Sequence, residues 1–401
     1  MKKHLVILCD GMADYDNENG LTPMKQAKKP CMDMLAKHGE VGLCQTVPLG
    51  MKPGSDVANL SVIGYDPLVC YTGRSPLEAL SIGIDMKSDD VSYRANLVTL
   101  SDDEIFEEKT MVDYSSGEIS TAESKELIGY LKQILDEEGR TLYAGVSYRP
   151  CLVKNHAKEG AILIPPHDIT GKKIKDYLPK GENSKELIAL IKRSYELLKN
   201  HPINLKRIAQ GKNPASALWT WGEGRKPALE SMQKKYGVNG AMISAVDLLK
   251  GIAIGAKMDS IDVDGATGNL HTNFDGKMQA GKEALKTYDY VYIHLEAPDE
   301  CGHQGDYDGK VRSLEIIDEK IIAPLYEFLE SSDWDYNILI CPDHATPISK
   351  MTHVSDPVPY LLYEKHGNVS SKIEQFNEDT AKNTGVFLSK GTDLMNKLLN
   401  K

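Results

Sequence analysis

The sequence predicts an α/β protein in which a doubly wound, mostly parallel sheet carries an inserted, smaller α+β domain. Three short apolar runs are typical of buried strands: Leu5–Cys9, Tyr290–Leu295 and Asn337–Cys341. Segments with helical periodicity lie between them, such as Ser184–Lys199 and Val311–Leu329. Because strands that alternate with helices favour parallel sheets, this order predicts the doubly wound core.

The middle of the chain has a different pattern. It contains short strand-like segments and one clear helical segment: Ala95–Leu100, Thr141–Val146, Ala161–Ile164 and the helical Glu123–Leu135. We therefore expect residues 86–180 to form the inserted α+β domain. Residues 1–85 and 181–401 are expected to form the core domain.

Length and charge limit the classes to which this protein can belong. Its 401 residues suffice for two to three domains, and 41% of them are hydrophobic, as in soluble globular proteins. The 47 basic and 58 acidic residues give a net charge of −11. Because nucleic acids and anionic membranes attract cationic surfaces, neither is an expected partner. No apolar stretch approaches the roughly 18 residues of a membrane span, and the first residues run directly into a strand-like segment, which predicts no secretory signal.

The seven cysteines are scattered along the chain, and no two of them form a C-x-x-C pair. An odd number of dispersed cysteines is not typical of a disulfide framework or a zinc ribbon. We therefore expect reduced cysteines in a cytoplasmic protein. The sequence leaves the oligomeric state open.

Four separated segments carry side chains suited to metal binding or nucleophilic catalysis. They contain, in order, Asp10; Ser55; Asp299 with His303; and Asp343 with His344 and His353. Each segment alone is weak evidence. An aspartate after a strand is more often a turn or cap residue than a ligand, and a serine before a helix is commonly an N-cap.

The combination of these segments is more informative. The three aspartates follow strand-like runs, and the carboxyl ends of parallel strands share one crevice where ligands bind. Three carboxylates gathered there would repel one another unless cations neutralised them. Histidine adds imidazole ligands that suit zinc or manganese. Six such ligands and a serine suffice for two metal ions with open positions.

Longer motifs along nearly the whole chain carry a family resemblance. They are GSDVANL at 54–60, YTGRSPLEA at 71–79, RANLVT at 94–99, PPHDI at 165–169, WTWG at 219–222 and APDECGH at 297–303. With these motifs the chain resembles the archaeal-type, cofactor-independent phosphoglycerate mutases of the alkaline phosphatase superfamily. The resemblance implies an alkaline phosphatase-like fold, and it implies that the inserted domain orients the substrate.

The resemblance also implies a metal site and a reaction. One metal ion would be bound by Asp299, His303 and His353, and the other by Asp10, Asp343, His344 and Ser55. The ions would be manganese or zinc, with magnesium and cobalt as alternatives. A small phosphorylated substrate, 3-phosphoglycerate, would transfer its phosphate to Ser55 and recover it at the 2-hydroxyl, without 2,3-bisphosphoglycerate as cofactor. At the start of a predicted helix, Ser55 is also well placed to receive a phosphate.

Substrate-binding residues are expected mainly in the inserted region. Guanidinium groups bind carboxylates in a bidentate fork, and three arginines are candidates for this role: Arg74, Arg94 and, as the first choice, Arg149. His167 and Asp168 could transfer protons of the glycerate hydroxyls, although Asp168 is equally suited to capping a turn. His156 is a weaker candidate for the same task. Trp219 and Trp221 are predicted to pack near the domain interface, and His294 is assigned no function.

Three other functions stay open at this point. A related enzyme that phosphorylates a small alcohol, as a homoserine kinase does, would have the same metal site. A simple metal-dependent phosphatase is the second alternative. A metal-binding protein without catalysis is the third, and the presence of Ser55 argues against it.

Overall fold

The computed structural model describes residues 2–400, which form two units. One unit comprises the chain through Tyr71 and from Leu229 onward, and we call it the metal unit. The other runs from Thr72 to Ala228, and we call it the inserted unit.

Strands and helices alternate along most of the chain. The strands are β1 Lys2–Cys9, β2 Glu40–Cys44, β3 Val91–Leu100, β4 Met111–Asp113, β5 Arg140–Val146, β6 Arg149–Lys154, β7 Ala161–Ile162, β8 Lys180–Gly181, β9 Ala217–Arg225, β10 Gly240–Ile243, β11 Asp259–Ile261, β12 Tyr290–Leu295, β13 Asp335–Cys341, β14 Val358–Glu364 and β15 Phe387–Leu388.

The α-helices include short single turns and longer helices that pack on the sheets. They are α1 Pro23–Gln26, α2 Pro30–His38, α3 Ser55–Val62, α4 Pro67–Cys70, α5 Arg74–Ser81, α6 Thr121–Leu135, α7 Ser184–Leu198, α8 Pro202–Ala209, α9 Met232–Tyr236, α10 Asp247–Gly255, α11 Phe274–Thr287, α12 Ala297–Gln304, α13 Tyr307–Ile317, α14 Ala323–Glu330, α15 Glu378–Asn383 and α16 Thr392–Leu398. A π-helical turn, Asp318–Ile322, joins α13 to α14.

The metal unit is built on a sheet with the strand order β11-β10-β12-β1-β13-β14-β2-β15. The first five strands in this order are mutually parallel, whereas β14 is antiparallel to both of its neighbours. Every residue of β12 is buried, which explains why these strands read as continuous apolar runs. The predicted α/β class with a mostly parallel sheet is confirmed.

The register of the three central strands fixes the position of the functional residues. Leu8 of β1 pairs with His294 of β12 on one side and with Cys341 of β13 on the other. The three strands therefore end side by side, and the segments that follow them start from the same edge of the sheet.

The inserted unit contains an antiparallel sheet with the order β4-β3-β6-β5, in which β9 also pairs with β3. Helices α6 and α7 contribute Leu127, Leu131 and Leu187 to a core shared with Tyr93 and Leu97 of β3. An α+β unit of this kind agrees with the pattern seen in the middle of the sequence.

The boundaries of this unit differ from the predicted 86–180. The unit is longer at both ends because α5 precedes β3 and because β9 completes its sheet from Ala217 to Arg225. Pairing of β9 with β3 joins residues more than a hundred positions apart, so local sequence patterns do not indicate it. Helix α7, which the prediction placed in the core domain, packs on β9 within the inserted unit.

The seven cysteines are free thiols. Among residues 2–400, no helix is both long enough and apolar enough to span a membrane.

Candidate metal centre and arginine cluster

The strand ends of the metal unit bring the predicted metal ligands together. Asp10 directly follows β1, and Asp343 and His344 follow β13 after a single proline. Asp299 lies in the first turn of α12, the helix that follows β12. Adjacent parallel strands thus place three carboxylates at one edge of the sheet, as predicted.

One group of side chains surrounds His344. Its Nε2 atom lies 3.6 Å from Oδ1 of Asp10 and 3.5 Å from Oδ2 of Asp343. The hydroxyl oxygen of Ser55 is 3.3 Å from the same nitrogen. Asp10, Asp343 and His344 each offer a ligand atom within 4.8 Å of the others, a spacing compatible with a shared cation.

A second group surrounds Asp299. Its Oδ2 lies 3.2 Å from Nε2 of His303, and its Oδ1 lies 3.5 Å from Nε2 of His353. The two imidazole nitrogens are 2.9 Å apart. His344 also has a ligand atom within 4.8 Å of those of Asp299 and His353, so this histidine lies between the two groups. The family resemblance had placed His344 in only one of the two groups, with Asp10, Asp343 and Ser55.

Electrostatic interactions within the cluster favour bound cations. Burial, together with the carboxylates of Asp343 and Asp299, raises the pKa of Asp10 well above its ordinary value. Burial acts in the same direction on Asp299, but hydrogen bonds with His303 and His353 outweigh it and hold the pKa of Asp299 below its usual range. The hydrogen bond between Asp299 and His303 raises the pKa of His303 to about 9. Burial and the negative charges of Asp343 and Asp299 therefore disfavour an ionised Asp10, and bound divalent cations would relieve this repulsion.

The donor set fits divalent cations in composition as well as in charge. Oδ1 of Asp10 is buried and has no hydrogen-bond partner, which leaves a full acceptor facing the cluster. Mixed carboxylate and imidazole ligands suit manganese and zinc. The seven predicted residues therefore form one site in the metal unit.

Ser55 is placed by the helix that it begins. It is the first residue of α3, and its carbonyl accepts a hydrogen bond of 2.8 Å from the side chain of Asn59. The same amide nitrogen donates to Oδ2 of Asp343, also at 2.8 Å. Asn59 thus connects the first turn of the helix to a predicted ligand. The positive end of the helix dipole favours an incoming phosphate at this turn.

Two further polar contacts of the cluster were missed by the sequence analysis. Nε2 of the fully buried His294 lies 2.8 Å from Oδ2 of Asp10, although no function was assigned to this histidine. The hydroxyl of Thr346 donates a hydrogen bond to Oδ1 of Asp299. A histidine inside an otherwise apolar strand was the signal that could have drawn attention to His294.

The inserted unit contains a cluster of arginine and aromatic side chains. Arg94 is buried in β3, with its guanidinium 4.1 Å from the ring centre of Trp221 and its Nε 2.9 Å from a carboxylate oxygen of Glu78. Burial lowers the pKa of Arg94, and the charges of Arg74 and Arg149 act in the same direction, so the three predicted arginines influence one another.

The other predicted substrate residues differ in their surroundings. The His167 ring contacts that of Trp221 edge to face at 5.4 Å, so it lies beside the Arg94 stack. Asp168 is its neighbour, with Oδ1 3.7 Å from the imidazole Nε2. His156 is exposed and pairs with Asp89. Trp221, for which only packing was expected, also donates a hydrogen bond of 2.9 Å to Asn96.

Comparisons with known proteins show the family to which the chain belongs. The sequence model of the family described as 2,3-bisphosphoglycerate-independent phosphoglycerate mutase matches residues 36–204. A protein of that name from Methanosarcina barkeri is 47% identical over 400 residues, which cover 99% of each chain. A probable mutase of the same name from Geobacter sulfurreducens is 44% identical over the full length of both chains. This chain belongs to that family.

Solved structures show that this member of the phosphoglycerate mutase family is also similar to known proteins in its fold. A protein from Pyrococcus horikoshii superposes with a TM-score of 0.81 at 28% identity, covering 100% of this chain and 98% of the other. A cofactor-independent phosphoglycerate mutase from Thermoplasma acidophilum has the same fold, with a TM-score of 0.70 at 24% identity and coverage of 100% and 99%. The family resemblance that the motifs indicated is confirmed.

Proposed function

We propose that this protein interconverts 3-phosphoglycerate and 2-phosphoglycerate through a phosphoserine at Ser55, without 2,3-bisphosphoglycerate. The observation that carries the proposal is the position of the Ser55 hydroxyl. It begins α3 and lies 3.3 Å from His344, inside a cluster of three aspartates and three histidines. Full-length similarity to proteins named as mutases of this kind supports the reaction.

The metal ligands are assigned from the two groups of side chains. We assign Asp299, His303 and His353 to one ion and Asp10, Asp343, His344 and Ser55 to the other, with manganese or zinc favoured over magnesium and cobalt. Two such ions, when bound, make a serine hydroxyl more acidic and neutralise charge on phosphoryl oxygens. His344 offers a ligand atom within 4.8 Å of those of Asp10 and Asp343, and also within 4.8 Å of those of Asp299 and His353.

Residues of this chain then account for two phosphoryl transfers. The Ser55 hydroxyl loses its proton as its oxygen attacks phosphorus, the bond between phosphorus and the 3-oxygen of the substrate breaks, and the 3-oxygen takes up a proton. The bound glycerate then presents its 2-hydroxyl, which loses a proton as its oxygen attacks phosphorus; the bond between phosphorus and the Ser55 oxygen breaks, and the Ser55 oxygen takes up a proton again. The positive end of the α3 dipole stabilises the phosphate in both steps.

Substrate orientation is assigned to the inserted unit. Guanidinium groups of Arg74, Arg94 and Arg149 would bind the glycerate carboxylate, which stays unchanged through both transfers. His167 and Asp168 are assigned the proton transfers at the substrate hydroxyls. Reduced cysteines are consistent with a cytoplasmic location, which we include in the proposal.

A coupled assay tests this function directly. Metal-free protein is supplied with Mn²⁺ and 3-phosphoglycerate, and 2-phosphoglycerate is followed with an enolase; a parallel reaction contains homoserine and ATP. We expect 2-phosphoglycerate without added bisphosphoglycerate. Phosphohomoserine, or inorganic phosphate released without 2-phosphoglycerate, would contradict the proposal.

The phosphoserine step is tested with a matched pair of serine variants. Ser55→Ala should abolish turnover and the acid-stable label that wild-type protein takes from radioactive phosphoglycerate. Ser61→Ala is the control because Ser61 is a serine of the same helix. Labelled Ser55→Ala protein would show that another residue is the nucleophile.

A further inference from the structure

A buried histidine outside the predicted ligand set contacts one of the ligands. His294 lies in β12 with no exposed surface. Its Nε2 is 2.8 Å from Oδ2 of Asp10, and its Nδ1 is 3.2 Å from the hydroxyl oxygen of Ser244. The three side chains form a continuous chain of hydrogen bonds that ends at the carboxylate.

The contacts of His294 with Ser244 and Asp10 fit the tautomer that carries its proton at Nε2. The Ser244 hydroxyl oxygen accepts a hydrogen bond of 3.0 Å from the backbone N–H of Val246. Its single hydrogen is then free to be donated to Nδ1 of His294. A neutral imidazole that accepts at Nδ1 carries its hydrogen at Nε2, so Nε2–H donates to Asp10.

This donation distinguishes the two oxygens of Asp10. Oδ2 is occupied by His294, whereas Oδ1 is buried without a hydrogen-bond partner and lies 3.6 Å from Nε2 of His344. A carboxylate anchored at one oxygen has a fixed plane, and its other oxygen has a fixed direction. Hydrogen bonds of this kind orient metal ligands and strengthen binding in other metal sites.

We propose that His294 is a positioning residue that presents Oδ1 of Asp10 to a divalent cation, with Ser244 setting its tautomer. The inference rests on the proposed metal-dependent function. The inference concerns metal affinity rather than a chemical step. His294 contacts Oδ2 of Asp10, whereas the oxygen proposed to bind the cation is Oδ1. The inference also predicts that only the ion bound by Asp10 depends on His294.

Calorimetric titration of metal-free protein with Mn²⁺ tests the proposal independently of turnover. His294→Leu removes the donor, and we expect Mn²⁺ affinity at one of two sites to fall about 10- to 100-fold. Affinity at the other site should change less than about threefold. His294→Gln retains an amide donor near the position of Nε2 and should restore part of the loss. Ser244→Ala should weaken the same site by a smaller factor.

The matched control is His4→Leu, since His4 is also a buried histidine but lies in β1 and contacts the carbonyl of Leu398. Its Mn²⁺ affinities should equal those of the wild type. Folded His294→Leu and Ser244→Ala proteins with wild-type affinities would overturn the inference, as would an equal loss in His4→Leu. If His294→Leu does not fold, His294→Gln and Ser244→Ala decide the matter by the same titration.

The titration also separates this inference from the proposed function. Selective loss of Mn²⁺ affinity in the variants supports the role of His294 even if the wild-type protein does not isomerise 3-phosphoglycerate. A wild-type protein that binds no Mn²⁺ would overturn both proposals.

Discussion

The ammonium group of Lys310 lies 2.8 Å from Oδ2 of Asp14, and the side chains of both residues are almost completely buried. The same ammonium donates a hydrogen bond of 2.8 Å to the carbonyl of Thr346, whose hydroxyl contacts Asp299. Lys310, which lies in α13, therefore links the segment that follows β1 to the segment that follows β13. Both segments carry predicted metal ligands.

Replacement of Lys310 by methionine should strongly destabilise the metal unit. The variant leaves the Asp14 carboxylate buried without its cation, and breaking a buried pair in this way costs about 3–5 kcal/mol of unfolding free energy. Urea denaturation at pH 7 measures the change. Lys234→Met is the control because the ion pair of Lys234 with Glu230 is largely exposed, and its loss should cost less than about 1 kcal/mol. Equal effects of the two variants would contradict the interpretation.

An alanine at position 11 should disturb the metal centre as well as the backbone. Gly11 has a φ of +63°, and an added Cβ would lie 2.7 Å from both Cα of Asp299 and the hydroxyl oxygen of Thr346. Gly20 has a φ of +72° with no atom within 4 Å of an added Cβ, which makes Gly20→Ala a matched control. Both variants should lose about 1–2 kcal/mol from the left-handed backbone.

Only Gly11→Ala should lose more stability than this and also bind Mn²⁺ more weakly, because overpacking adds about 1–3 kcal/mol and displaces Asp299. Urea denaturation and Mn²⁺ titration of the two variants provide the comparison. The crowding argument fails if Gly11→Ala behaves like Gly20→Ala in both measurements.

His4 should make the protein less stable at acidic pH. Burial lowers the pKa of His4 to about 4, although its hydrogen bond to Leu398 acts in the opposite direction. The unfolded chain, with a histidine pKa of about 6.5, binds the proton more readily than the folded chain. Stability from this residue is therefore complete above pH 6.5 and is lost as the pH falls towards 4, by about 2 kcal/mol between pH 6.5 and 5.

Urea denaturation at pH 7 and pH 5 compares the wild type with His4→Gln. The variant should lose about 2 kcal/mol less over this interval. His366→Gln, which changes an exposed histidine, should retain the wild-type pH dependence. A His4→Gln curve parallel to that of the wild type would exclude His4 as the source.

Arg94→Lys should raise KM for 3-phosphoglycerate more than it lowers kcat. Lysine keeps the charge but not the planar fork that stacks on Trp221 and binds a carboxylate at two points. Loss of a charge-assisted hydrogen bond of about 1.5–3 kcal/mol corresponds to a change of roughly 10- to 100-fold. Steady-state kinetics measure this, with Arg140→Lys as the control because Arg140 pairs with Glu186. Unchanged KM in Arg94→Lys would remove Arg94 from the substrate site.

Much of the candidate metal site was predictable because short sequence patterns indicate where each strand ends. Asp10, Asp299 and Asp343 follow apolar runs or lie just beyond them, and parallel strands end at one edge of a sheet. The register of β1 with β12 and β13 then brings their side chains together, as expected. The family resemblance assigned Ser55 and His353 to the candidate site. Their local patterns alone would not distinguish them from a helix cap and a surface histidine.

By itself, the sequence determined the α/β class and the family, and it indicated a set of candidate metal ligands. Tertiary structure decided which strands complete the inserted unit, that His344 lies between two groups of side chains, that His294 contacts Asp10 and that Trp221 stacks on Arg94. The physical reason is the distance along the chain between the partners. Periodicity and motifs report on near neighbours, whereas strand pairing and side-chain contacts across 50 or more positions follow from packing of the whole unit.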